Sequence, residues 1–330
     1  MSAQAGAARL TPRRIVWRRE WLYRQSRSLI VWGLLAILIT IGSSLSGTFR
    51  SHSEVLVTLQ GASFIAMASA AQFFVVVSGG IDLSVGSVAT VSGMAAAVIM
   101  KGHNSQIPLA LLATVGIGVV VGLFNGLVIN YLRIAPFVAT FGMYYILQGA
   151  GFSYSVNPVG QAAPSFYNLY TQTWVGIPLI LIIVGGFWLV AWYVARLTAF
   201  GRHLYALGGD RNAARLAGVR TVRVSILAYV TCSVIAAMSG TLELTQTSVA
   251  APDLGASLLL ATVTAVVIGG VSLFGGEGSL IGVLGGVLVL AFLGELFNAL
   301  QINPLYDQLI QGLFIVGVLG IYRGRRRRTA

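Results

Sequence analysis

The chain is poor in charge. Of its 330 residues only 9% are Asp, Glu, Lys or Arg and 56% are hydrophobic, whereas a soluble domain carries about 25% charged residues. An ordinary water-soluble globule is excluded. Lysine is almost missing: Lys101 is the only one, so there is no G-x-x-x-x-G-K-[ST] loop to cradle phosphates, and the chain is not expected to hydrolyse ATP by itself. The single cysteine, Cys232, excludes an intramolecular disulfide. His52, His103 and His203 fall in three separate loops, so no cluster has metal-ligand spacing. No His, Cys or paired-carboxylate constellation suggests an enzyme, and no cofactor is called for.

Long apolar runs are what the chain does have. A membrane-crossing helix needs roughly 20 predominantly apolar residues. The runs predict an all-α polytopic membrane protein of about ten transmembrane helices, at Leu29–Leu45, Val55–Val77, Val85–Met100, Pro108–Leu132, Phe137–Tyr154, Val175–Ala195, Val224–Leu244, Leu258–Val271, Leu280–Leu300 and Leu305–Tyr322. The domains expected are a basic cytoplasmic segment over 1–28, a transmembrane domain over 29–322 and a basic cytoplasmic tail over 323–330. The segment before Leu29 is too long, and Ile41–Gly47 too poor a cleavage site, for a cleaved signal peptide.

The net charge of +12 raises nucleic acid as a partner, and the placement of the basic residues rejects it. With ten spans and both termini cytoplasmic, seven arginines precede Leu29, one is Arg133, six lie from Arg196 to Arg223 and five from Arg323 to Arg328. Only Arg50 and Lys101 fall outside. That asymmetry is the positive-inside rule acting on short loops. The RGRRRR tail reads as a topological anchor that also meets anionic membrane lipid.

One apolar run is interrupted. Residues 75–87 read VVVSGGIDLSVGS, and in hydrocarbon such a cluster is tolerated only where irregular backbone faces protein or a water-filled cavity. A broken helix near residues 78–87 is therefore expected, with Gly79, Gly80, Asp82 and Ser84 on the path of a polar solute. Asp82 also suits a helix cap for the run that follows. Val266 to Gly276 repeats Val76 to Gly86 at an offset of 190, with Ser272 in place of Asp82, which hints at two related halves or at chance among abundant Val and Gly.

The long polar interior segment, 197–223, contains NAARLAG from Asn212 to Gly218. A compact helix with small residues there suits docking into a groove of a partner protein, against the plainer reading of a basic loop that obeys topology.

Four segments together carry a resemblance: VVSGGIDLSVGS, then NGLVIN with PFVATFGM, then GRHLYALGGDRNAARLAGV, then AVVIGGVSLFGGEGS. The chain from about Val55 to Tyr322 resembles the permease subunits of ribose-, xylose- and galactose-type bacterial ABC sugar importers. The resemblance implies a multi-pass protein of the bacterial inner membrane that moves a monosaccharide or related polyol inward. Its implied partners are a second permease, identical or paralogous, an extracytoplasmic sugar-binding protein, and a cytoplasmic ATPase of two fused cassettes. NAARLAG matches the importer coupling pattern E-A-A-x-x-x-G, with Asn212 at the glutamate position. Gly209, Asp210, Asn212, Ala213, Ala214 and Gly218 are then the coupling residues.

For a neutral polyhydroxylated solute a weakly polar lining is expected, and Asn125, Thr140, Gln148 and Asn298 join Ser84 as candidates. The chain departs from the family pattern at Asp210, where many relatives have Asn, at Leu258–Ala261, where they have acidic residues, and at Gly294-Glu295, where Asn-Asn is common. These departures bear on which solute is carried. The alternative reading is an ion-coupled secondary transporter of a small polar solute, with Asp82, Glu243 and Glu295 as carriers, because ionisable groups at membrane depth are functional by default.

Overall fold

The computed structural model describes residues 13–303, 305–306 and 309–313, and side chains from residue 29 on except Thr48. Up to residue 303 these described residues form the α-helices α1 Arg13–Leu45, α2 His52–Val77, α3 Val85–Met100, α4 Ile107–Tyr131, α5 Pro136–Tyr154, α6 Pro164–Thr171, α7 Leu179–Leu197, α8 Ala199–Gly209, α9 Arg211–Leu216, α10 Thr221–Thr247, α11 Leu258–Ile268 and α12 Leu280–Ala299. Five of the crossings are long and apolar enough to span a bilayer, and Leu29–Leu45, α3 and α11 are shorter apolar helices. The protein is an all-α polytopic membrane protein. The tenth span, Leu305–Tyr322, lies largely outside the described residues, as does the 323–330 tail.

Helix α10 is the axis of the bundle. It packs against α2, α3 and α4, and the α4 contact shows how the sequence brings this about. Gly118, Gly122 and Gly126 recur every four residues and so share one face of α4. A side chain at any of them would strike the backbone of Val234, Val230 or Ile226, one turn apart on α10. Small residues at such spacing let two helices approach closely in a bilayer, where burial of apolar surface supplies little drive between helices. Polar contacts pin the register at both ends: Thr114 with Thr241 at 2.8 Å and Asn130 Nδ2 to Ser225 Oγ at 2.9 Å. On the α2 side, Ser239 Oγ donates to the Phe64 carbonyl at 2.8 Å. Helix α1 packs on α12 through Val31, Leu35, Val289, Phe292 and Leu296.

The two ends of the bundle differ. One is closed by α6 and a hairpin, β1 Thr173–Trp174 with β2 Ile177–Pro178. There the chain near Val159 pairs with Ala250, and Gln161 N–H donates to the Ala97 carbonyl at 3.0 Å. The other end carries α8, α9 and the turns that follow α2 and α11.

Two expected spans are corrected. The crossing expected from Val175 begins at Leu179, because Val175 and Gly176, at φ 52° and 78°, form the tight turn of the hairpin; left-handed values at both central residues are what a two-residue hairpin loop requires. The crossing expected over Leu258–Val271 is helical for only 11 residues, about 16 Å at 1.5 Å per residue, too short to span. The chain completes it with the turns of 251–257. The crossing through α3 is likewise short, and the segment Ser78–Ser84 precedes it.

Candidate functional site

The break expected in VVVSGGIDLSVGS lies between α2 and α3. Helix α2 ends in a Schellman turn: Gly79 N–H donates to Val76 O and Gly80 N–H to Val75 O, at 2.9 and 3.0 Å. Gly79 takes φ 85°, the left-handed value that such a stop requires and that glycine adopts without strain. The Tyr229 hydroxyl occupies the space a side chain on Gly80 would need.

From there the chain turns back into the bundle and brings Asp82 to 1% exposure. Asp82 Oδ1 accepts from Ser84 N–H at 2.9 Å and from Ser84 Oγ at 2.5 Å. Asn125 Nδ2, on α4, donates to the same Ser84 hydroxyl at 3.0 Å. Thr140 Oγ1, on α5, accepts from Leu83 N–H at 3.1 Å and donates to the Pro136 carbonyl at 2.9 Å. Four of the residues singled out from the sequence, Asp82, Ser84, Asn125 and Thr140, thus meet at one place from three elements. Asp82 closes a local turn ahead of α3 and does not cap the helix; Ser84 holds the cap position.

The cluster is not saturated. Asn125 Oδ1 is buried without a hydrogen-bond partner, leaving roughly 1–3 kcal/mol of desolvation uncompensated, and the Tyr229 hydroxyl meets the Ile81 backbone beside it. The Cys232 thiol lies against the Asp82 side chain. Tyr229 and Cys232 were not singled out from the sequence, because a Tyr and a Cys in an apolar run carry no signal that separates them from core. The arrangement offers hydrogen-bonding capacity inside an apolar crossing.

Gln148 and Asn298 are not part of the cluster. Gln148 lies two turns further along α5, half-exposed, and Asn298 is exposed near the end of α12, where its side chain meets Glu295.

The turn after α11 repeats the turn after α2. Gly270, at φ 79°, donates to Val267 O and Val271 to Val266 O, at 3.0 and 3.2 Å. The backbone equivalence therefore runs at an offset of 191, one residue from the offset of 190 suggested by the sequence, because Gly270 and not Gly269 takes the left-handed position.

The NAARLAG segment is sharply defined. Asp210 Oδ1 caps α9, accepting from Asn212 N–H at 2.8 Å and Ala213 N–H at 3.0 Å. Gly218, at φ 84°, stops the helix in a further Schellman turn, with Gly218 N–H to Arg215 O and Val219 N–H to Ala214 O, both 3.0 Å. The glycine of NAARLAG is thus the residue that ends the helix. Arg211 Nη2 donates to Asn130 Oδ1 at 2.7 Å and ties α9 to the end of α4.

Ala214 is turned inward, 5% exposed, while Leu216 is 87% exposed. The outward surface of α9 is made by Asn212, Ala213 and Leu216 among arginines. Gly209 is exposed with open space around it, whereas Gly208 presses on backbone: a side chain there would strike Val77 O and Gly276 N. Gly276 N–H donates to Val77 O at 2.9 Å, and Gly275 lies against Gly79 and Gly208. The end of α8, the turn after α2 and the loop after α11 therefore lock together backbone to backbone.

An all-α bundle with two interrupted crossings, a buried polar cluster at one of them and a capped helix standing off one end defines a membrane permease. The family described as the permease component of the branched-chain amino acid transport system matches residues 55–319, and the chain belongs to this family of ABC importer permeases. It is 33% identical over 303 residues to the ribose import permease protein RbsC of Escherichia coli (strain K12), covering 90% of this chain and 93% of that protein. It is 30% identical over 310 residues to the fructose import permease protein FrcC of Rhizobium meliloti, covering 90% and 85%. With the D-allose transport system permease protein AlsC of Escherichia coli (strain K12) it shares 28% over 292 residues, covering 88% and 90%. No solved structure matches the chain.

Proposed function

We propose that this permease carries a monosaccharide or closely related polyol inward across the bacterial inner membrane, without chemistry, powered by ATP that a partner hydrolyses. The observation that supports this most is the pairing of sugar-permease relatives along nearly the whole chain with a buried cluster of neutral and acidic hydrogen-bonding groups at Ser84, Asn125, Thr140 and Asp82. Hydroxyl-rich solutes are recognised by such groups. The relatives' solutes favour a sugar over the amino acids of the family description.

The end of the bundle that carries α8 and α9 faces the cytoplasm in this reading, since Arg133, Arg196 and the arginines of 202–223 gather there. Both termini lie on that side. Helix α9 docks on a cytoplasmic cassette ATPase, which in this class joins two cassettes in one chain. Leu216 enters an apolar pocket, and Arg211, Arg215 and Arg220 surround it. A binding protein delivers the sugar at the opposite end, and a second permease completes the cavity. Closure of the cassettes displaces α9, and the locked glycines pass the movement to the break at Asp82.

The test is mild purification of the tagged protein from its native membrane, with mass spectrometry of whatever accompanies it. A two-cassette ATPase and a periplasmic-type binding protein are expected. Leu216→Asp should reduce recovery of the ATPase at least tenfold while leaving the amount of permease unchanged. The chain alone, even after crosslinking, contradicts the reading.

A further inference from the structure

The turns that enter α11 carry polar groups outside the Asp82 cluster. Ala250 pairs with Val159, and the chain just after Val159 meets Ala97 near the end of α3. Five residues later Gly255 N–H donates to Thr90 Oγ1 at 2.9 Å, and Gly255 packs against Gly86, in the first turn of α3. Segment 250–255 therefore descends alongside α3 into the bundle. Leu254 reaches Gly93, which places its neighbour Asp253 roughly 10 Å below the Met100 end of that helix at 1.5 Å per residue.

Pro252, Gly255 and Leu258 are buried on the bundle side of this segment, whereas Asp253, Ala256, Ser257 and Leu260 are exposed. The exposed set runs from these turns into the first turn of α11. A carboxylate at that depth does not face lipid, and neither does irregular backbone; both are tolerated only beside water or protein.

We propose that Asp253 and Ser257 line the water-filled solute path, and that the Asp253 carboxylate accepts hydrogen bonds from the hydroxyls of a neutral polyhydroxylated solute. The inference rests on the sugar-importer reading and adds a binding residue to it. Asp253 stands on a segment that packs directly on the first turn of α3, so a solute passing it is led toward the Asp82 break that precedes that turn.

Two measurements test this. In the first, Asp253→Cys and Val120→Cys chains in native membranes are treated with a membrane-impermeant cationic methanethiosulfonate, with the wild-type chain reporting the buried Cys232. Val120 is 67% exposed on the outer face of α4. Asp253→Cys is expected to react at least 100-fold faster than Val120→Cys. Labelling no faster than at Val120 overturns the path, whether lipid or a second permease covers the segment. In the second, Asp253→Asn in the complete transporter is expected to lower uptake of the transported sugar about tenfold with ATPase activity retained; unchanged uptake overturns the binding role. Labelling needs no transport, so a wild-type complex without ATP-driven uptake refutes the importer reading separately.

Discussion

The turns after α2 and after α11 have the same backbone and different contents. Both are Schellman stops with glycine in the left-handed position. After α2 the chain carries Asp82 and Ser84 into a buried network that reaches α4 and α5. After α11 the corresponding stretch holds Ser272, whose hydroxyl accepts from Phe274 N–H at 3.3 Å, and its glycines are spent on backbone packing against α8. One turn carries buried polar groups and the other packs backbone on backbone. The difference shows that the polar character of the first break is not a requirement of the turn itself, since the second makes the same turn without it.

The largest expected effect comes from emptying the first turn. Asp82→Ala strands both Ser84 donors in a buried site, at about 1–3 kcal/mol each, and should cost about 2–6 kcal/mol in thermal or denaturant unfolding and abolish uptake. Asp82→Asn keeps an acceptor for Ser84 N–H, so the protein inserts and folds while uptake falls roughly tenfold. Normal uptake in Asp82→Asn would remove the distinction between the two turns.

An intermediate effect is expected where the turns meet. Gly208→Ala forces a methyl group onto Val77 O and Gly276 N, an overpacking worth about 1–3 kcal/mol, and should lower sugar moved per ATP hydrolysed at least fivefold. Gly209→Ala, next in sequence with open space around it, should match wild type within about 0.5 kcal/mol, as surface substitutions do. Equal coupling ratios in the two variants would show that the backbone contact transmits nothing. The smallest effect belongs to the second turn: Ser272→Ala removes one weak hydrogen bond and should cost less than about 1 kcal/mol, with uptake within twofold of wild type.

Much of this was legible in the sequence. The apolar runs place most crossings, and Asp82, Ser84, Asn125 and Thr140 stand out as polar residues in apolar surroundings. Their convergence was not legible, because it depends on which crossings are neighbours, and a single chain does not record that. Tyr229 and Cys232 stayed hidden for the same reason.

The inward turn of Ala214 follows from the phase that the Asp210 cap and the Gly218 stop impose on a six-residue helix. Composition cannot supply that phase. The short extent of α11 is not readable from the sequence, because an apolar run of 14 residues reads alike whether all of it or only part is helical.

The central claim is that an ATP-driven partner moves a sugar through this bundle by way of α9. The most direct test is uptake of radiolabelled ribose, fructose and allose into proteoliposomes that hold the permease with its co-purified ATPase and binding protein. The account predicts uptake of at least one sugar that requires ATP on the α9 side and binding protein on the other, and that is lost in Leu216→Asp. Uptake that proceeds without ATP and follows an imposed proton or sodium gradient would contradict it.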